Sequence, residues 1–106
     1  MADRLRGRAV LITGGGRGIG GAAAQIIAAE GGRVVIGDLL EAEGEATAAA
    51  IRSAGGEAVF VRTDVTRAAD CARLAAAAVQ SYGALHVAIC CAGILQGALL
   101  QAEDLD

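Results

Sequence analysis

Thr13-Gly14-Gly15-Gly16-Arg17-Gly18-Ile19-Gly20 decides how the rest of the chain is read. Before it stands a short apolar run, Arg8-Ala9-Val10-Leu11-Ile12; after it comes an alanine-rich segment from Gly18 to Glu30. The run reads as a buried parallel strand and the segment as a helix, with Ile19, Ala23, Ile26 and Ile27 spaced to form its apolar face. A glycine cluster between a strand and a helix has a physical use. The first amides of a helix lack partners and can bind an anion, and a diphosphate must come so close that side chains are excluded. The G-x-G-x-x-G spacing at Gly16, Gly18 and Gly21 is weak alone; its place between strand and helix gives it meaning.

Working outward, the same alternation repeats. Gly31-Gly32 ends the first helix, and Arg33-Val34-Val35-Ile36-Gly37 is a second strand. Glu41 to Ala54 reads as a helix whose early Glu41, Glu43 and Glu45 suit its positive end, with Gly55-Gly56 as the stop. Ala58 to Val61 is a third strand. Thr66 is placed to cap a third helix, on which Cys71, Leu74, Ala75, Ala78, Val79 and Tyr82 recur at helical spacing. Gly83 ends it, and Leu85 to Cys90 is a fourth strand. This predicts one α/β domain over residues 1–106, a three-layer αβα arrangement around a parallel sheet of about four strands in the order 3-2-1-4.

Composition bounds the function. Of 106 residues 26 are alanines, so the core is made of small side chains with Val, Ile and Leu. All nine cations are Arg, there is no Lys, and the net charge is −3, which gives no footprint for nucleic acid. The most apolar stretch, Val87 to Leu95, is too short to span a bilayer, and the polar N-terminus lacks the apolar core of a secretory signal. Cys71, Cys90 and Cys91 are odd in number with no Cys-x-x-Cys spacing, so no disulfide framework or zinc site is expected and a reducing, cytoplasmic setting fits.

Asp38 follows the second strand, 18 residues beyond Gly20. A carboxylate there can accept both hydroxyls of an adenosine ribose and would repel a 2′-phosphate. Asp38 and Leu39 are therefore candidate cofactor residues, and NAD is expected over NADP; no cation follows, since Leu39 and Leu40 come next. Arg17 is the dissenting residue, since it is able to meet a phosphate. The other reading of Asp38 is a cap for the following helix.

Residues 13–20 match in full the Thr-Gly-x-x-x-Gly-x-Gly pattern of the short-chain dehydrogenase/reductase family, which the chain resembles from about residue 6 to its end. The resemblance implies a Rossmann-type fold, incomplete relative to the family domain. It also implies an NAD(P)-dependent oxidoreductase that moves a hydride between nicotinamide and an alcohol or ketone. Thr13, Gly14, Gly16, Arg17, Gly18, Ile19 and Gly20 would then surround the diphosphate. Thr63-Asp64-Val65-Thr66 resembles the family's Asp-Val segment, which implies that Asp64 accepts from the adenine amino group and that Val65 holds the ring through its backbone. Cys90-Cys91-Ala92-Gly93 stands where the family has Asn-Asn-Ala-Gly, so Cys91, Ala92 and Gly93 would lie by the nicotinamide-side ribose. Thiols lack the amides that brace the sheet in the family. Both cysteines read as buried small residues rather than nucleophiles.

No catalytic residue is expected within the chain. The family's Tyr-x-x-x-Lys needs an ammonium to lower the tyrosine pKa, and this sequence has no Lys. Tyr82-Gly83-Ala84-Leu85-His86 copies the spacing, but Gly83 breaks the helix, so Tyr82 reads as a packing residue. The expectation is a truncated cofactor-binding part, inactive alone, whose full-length form takes a small alcohol or ketone and forms a homo-oligomer. An alternative from another class is a non-catalytic dinucleotide-binding or dimerisation module, using the exposed edge of the fourth strand. A methyltransferase of similar fold is disfavoured, because its cofactor has no diphosphate for the glycine turn.

Overall fold

The run Ala9-Val10-Leu11-Ile12-Thr13 forms β1 (Ala9–Thr13), and all five residues are buried, as a strand covered on both faces requires. In the computed structural model, which describes residues 4–14 and 18–91, β1 is flanked by β2 (Arg33–Asp38) and β4 (Val87–Cys90). β3 (Glu57–Arg62) lies outside β2, so the order is β3-β2-β1-β4 and every pairing is parallel. The connections are α1 (Gly18–Ala29), α2 (Glu41–Ser53) and α3 (Ala68–Tyr82). Glycines at positive φ follow them directly or within two residues: Gly31 (94°), Gly55 (96°) and Gly83 (81°). The predicted order and layers are those observed.

Strand alternation sorts the core into two halves. Val10, Ile12, Val34, Ile36 and Ala58 pack with Ala24, Ala48 and Ile51 on the α1/α2 side, whereas Leu11 and Val35 pack with Leu74 and Ala78 under α3. Each fully buried aliphatic side chain here contributes roughly 1.5–3 kcal/mol of transfer free energy.

Three local expectations are corrected. The apolar face assigned to α1 is not its buried face: Ile19 is 84% and Ile26 63% exposed, while Gly20, Gly21 and Ala24 are buried. Ile27 is partly buried against the core, as expected. The helix docks through its smallest residues because they let its backbone approach the sheet. Second, Thr66 does not cap α3. The N-cap residue is Arg67, with no side-chain cap bond, and Thr66 donates instead to Asp64. Third, Cys90 is exposed and Cys91 only half-buried. Among the described residues α3 packs chiefly on β1 and β2, which leaves Cys90 on β4 exposed.

Tyr82 behaves as expected of a packing residue. Its hydroxyl donates to the Val34 carbonyl at 2.9 Å, and burial pushes its pKa up. His86 Nδ1 accepts from the Ala9 amide at 2.9 Å. Both residues serve the amino end of the sheet, so the Tyr-x-x-x-His spacing is structural.

Candidate cofactor site at the carboxyl edge of the sheet

Because all four strands are parallel, they end at the same edge, and each end carries one expected site residue. The chain turns out of β1 at Gly14, whose amide donates to the Gly37 carbonyl at 2.7 Å. Gly14 has φ 74° and Gly18 has φ 63°, a region in which a side chain is strained, so both turns call for glycine. α1 begins at Gly18, and Ile19 stands exposed in its first turn. Its opening amides are therefore presented just outside β1. Gly16 and Arg17, both expected to meet the diphosphate, lie outside the described residues, as do Ala92 and Gly93.

The strand order places this turn at a switch point. From β1 the chain winds outward through β2 and β3, then returns past β1 to β4. At such a reversal of strand order a parallel α/β sheet is expected to offer a crevice beyond the carboxyl ends of the two strands, here β1 and β4. Cys91 stands at the β4 side of that crevice, its amide donating to the Thr13 carbonyl at 2.9 Å.

Asp38 ends β2, one residue beyond Gly37, the register partner of Thr13. Its Oδ1 accepts from the Leu40 amide at 2.9 Å. Asp38 is not the cap of α2, whose N-cap residue is Leu40 with no side-chain cap bond; it shapes the turn that leads into the helix. Leu39 is half exposed beside it. Arg62 is the register partner of Asp38 across β3. No cation follows Asp38 along the chain, whereas the strand register sets Arg62 beside it from 24 residues away.

Past β3, buried Thr63 is fixed by its amide to the Asp38 carbonyl (3.0 Å) and its hydroxyl to the Val61 carbonyl (2.9 Å). Asp64 follows. Its Oδ1 accepts from the Thr66 hydroxyl at 2.6 Å and the Thr66 amide at 3.0 Å, and these bonds hold its carboxyl below the usual range. Val65 is partly exposed. The Asp64 amide donates to Asp70 Oδ2 at 2.9 Å. Sequence reasoning missed Asp70, since a carboxylate among helical positions reads as solvent-facing, yet it is 8% exposed. The Asp64 amide, ahead of Arg73, holds its carboxyl below the usual range.

Among the described residues, Thr13 carries the one departure from saturation. Its Oγ1 is buried with no hydrogen-bond partner among the described residues, and its register partner on β4 is Cys90. A thiol is a poor partner for a hydroxyl. Among the described residues no group of His, Cys, Asp and Glu is arranged to hold a metal, and no helix is long and apolar enough to cross a membrane. A groove of about 480 Å³ between α1 and α2 is lined by Gln25, Ala28, Ala50, Ile51 and Ala54. It lies at the opposite, amino edge of the sheet and carries no ionisable lining.

The family model for short chain dehydrogenases matches residues 8–106. The chain is 45% identical over 106 residues to 2,5-dichloro-2,5-cyclohexadiene-1,4-diol dehydrogenase LinX of Sphingobium indicum, covering 100% of this chain and 42% of that protein. It is 42% identical over 95 residues to a 3-alpha-(or 20-beta)-hydroxysteroid dehydrogenase of Mycobacterium tuberculosis, covering 90% of this chain and 35% of that one. Among solved structures, a short chain dehydrogenase/reductase from Burkholderia phymatum in complex with NAD superposes with a TM-score of 0.77 at 37% identity, over 79% of this chain and 30% of that one. The citronellol catabolism dehydrogenase AtuB of Pseudomonas aeruginosa gives 0.78 at 28% identity, over 83% and 37%. The chain thus spans less than half the length of these proteins. With the glycine turn, the parallel order and this match agreeing, the chain belongs to the short chain dehydrogenase family.

Proposed function

We propose that these residues bind NAD along the carboxyl edge of the sheet, as the cofactor-holding part of an oxidoreductase acting on a small alcohol or ketone. The observation that carries this reading is the convergence of Gly14, Asp38, Asp64 and Cys91 at the four strand ends, beside the switch point. Amides from Gly14 to Ile19 receive the diphosphate, with Gly16 and Arg17 in the same turn. Asp38 accepts the adenosine ribose hydroxyls, with Leu39 alongside. Asp64 accepts from the adenine amino group, and the Val65 main chain holds the ring. Cys91, Ala92 and Gly93 line the nicotinamide-side ribose. Nicotinamide held there would supply the hydride acceptor or donor for interconverting an alcohol and a ketone.

The residues that would move that proton are not in this stretch. It has no lysine, and the Tyr82 hydroxyl is committed to Val34. The 106 residues alone therefore bind without turning over. The Asp38 charge favours NAD, while Arg62 beside it is the group a 2′-phosphate would seek. Three free thiols suit a reducing cytoplasm, and the longer protein assembles as a homo-oligomer. Calorimetric titration of the chain with NAD and NADP, beside an alcohol-oxidation assay, tests this. Binding of NAD well ahead of NADP without turnover is expected; equal affinity would refute the Asp38 role, and sustained turnover the assignment of inactivity. The exposed outer side of β4, with Val87 and Cys90 uncovered, favours a second reading as a pairing module, for which sedimentation would show a stable dimer.

A further inference from the structure

We propose that Asp70 is a positioning residue for adenine recognition, fixing the Asp64–Val65 segment from beneath; this rests on the nucleotide reading above. Asp70 is the third residue of α3. In an ordinary capping box an acid at this position bonds back to the amide of the N-cap residue. Here the N-cap amide, that of Arg67, is taken by the Asp64 carbonyl at 2.9 Å. Asp70 Oδ2 reaches three residues further back and accepts the Asp64 amide instead. A buried carboxylate is costly unless its oxygens are bonded, which confines this one to a single arrangement. Oδ1 is held by Arg73 Nη2 at 3.0 Å.

The next residue acts on the other half of the segment: the Cys71 thiol donates to the Val65 carbonyl at 3.6 Å. Two consecutive side chains in the first turn of α3 thus grip Asp64 and Val65 by opposite main-chain groups. Asp64 is then turned by Thr66, whose two bonds both go to Oδ1. Asp70 fixes the backbone, Thr66 fixes the carboxylate, and Oδ2 is left to meet the base.

The test compares NAD with nicotinamide hypoxanthine dinucleotide, in which a carbonyl oxygen and a ring N1–H replace the adenine amino group and its bare N1. Affinities of the whole chain are measured by calorimetry, with folding followed by circular dichroism. The wild type prefers NAD by on the order of tenfold, as expected for a hydrogen bond to a charged acceptor. Asp70→Ala is expected to lower NAD affinity to the level of the hypoxanthine analogue and to leave the analogue's own affinity within about twofold. Asp70→Asn, whose amide oxygen still accepts from Asp64, is expected to retain the preference. Equal loss for both ligands, or an undiminished preference in Asp70→Ala, overturns the proposal. Should Asp70→Ala fail to fold, Asp70→Ser, too short to reach the Asp64 amide, takes its place with the same expected outcomes. A wild type that binds both ligands equally instead refutes the Asp64–adenine contact itself, and NAD binding that fails altogether refutes the nucleotide reading.

Discussion

Gly37 and Leu74 form a pair whose coupling can be predicted from the geometry. A methyl carbon on Gly37 would stand 2.5 Å from Leu74 Cδ2, 3.1 Å from Leu74 Cδ1 and 2.9 Å from Thr63 Oγ1. Leu74 and Thr63 are each 1% exposed and have nowhere to move. Gly37→Ala should therefore destabilise by about 1–3 kcal/mol through overpacking, less the roughly 0.4–1 kcal/mol an alanine recovers by restricting the unfolded chain. Leu74→Ala alone should cost about 2–5 kcal/mol, since it empties the site between Leu11 and Val35. In the double variant the new methyl no longer meets Leu74. The part of the overpacking penalty due to Leu74 disappears and only the contact with Thr63 Oγ1 remains, so the cost falls well short of the sum of the two single variants. Urea unfolding followed by far-UV circular dichroism gives the three free energies, provided the denaturant slope is unchanged. Simple addition within about 0.5 kcal/mol would refute the packing of α3 on β2 described above.

Other outcomes follow from single contacts. Cys90→Asn should offer an amide to the orphaned Thr13 hydroxyl and raise stability by about 1 kcal/mol, read as a higher thermal midpoint; an unchanged or lower midpoint would contradict that pairing. The Asp64 and Asp70 carboxyls lie below the ordinary range when folded, through Thr66 and the Asp64 amide respectively. Their stabilisation is thus complete above the unfolded carboxylate pKa and lost as pH falls through the folded values. Midpoints should drop as pH is lowered from about 6 to about 3, less steeply in Asp70→Asn; equal slopes would contradict the assignment. Asp38→Ala should weaken NAD by about ten- to a hundredfold and narrow the gap to NADP, with Arg62→Ala reversing the gain in NADP; an unaltered NAD affinity would remove Asp38 from the site.

The sequence spoke most clearly where backbone constraints do the talking. Gly31, Gly55 and Gly83 mark where helices stop, and the apolar runs of β1 and β2 mark strands covered on both faces, so element order and sheet type were legible. Three features were not. In α1 the large apolar residues are the exposed ones: periodicity weights Ile19 and Ile26, whereas close docking selects Gly20, Gly21 and Ala24. Asp70 hides among helical positions because its partner is a main-chain amide, which no side-chain pattern reveals. Arg62 reaches Asp38 only through strand register, a non-local fact.

Nuclear magnetic resonance titration of the labelled chain with NAD addresses the site most directly. The account predicts that the largest amide shifts fall at Gly14 and the Gly18–Gly20 opening of α1, followed by Asp38 and Asp64. Shifts confined instead to the groove at Ala28, Ala50 and Ala54, or no response at the start of α1, would contradict it.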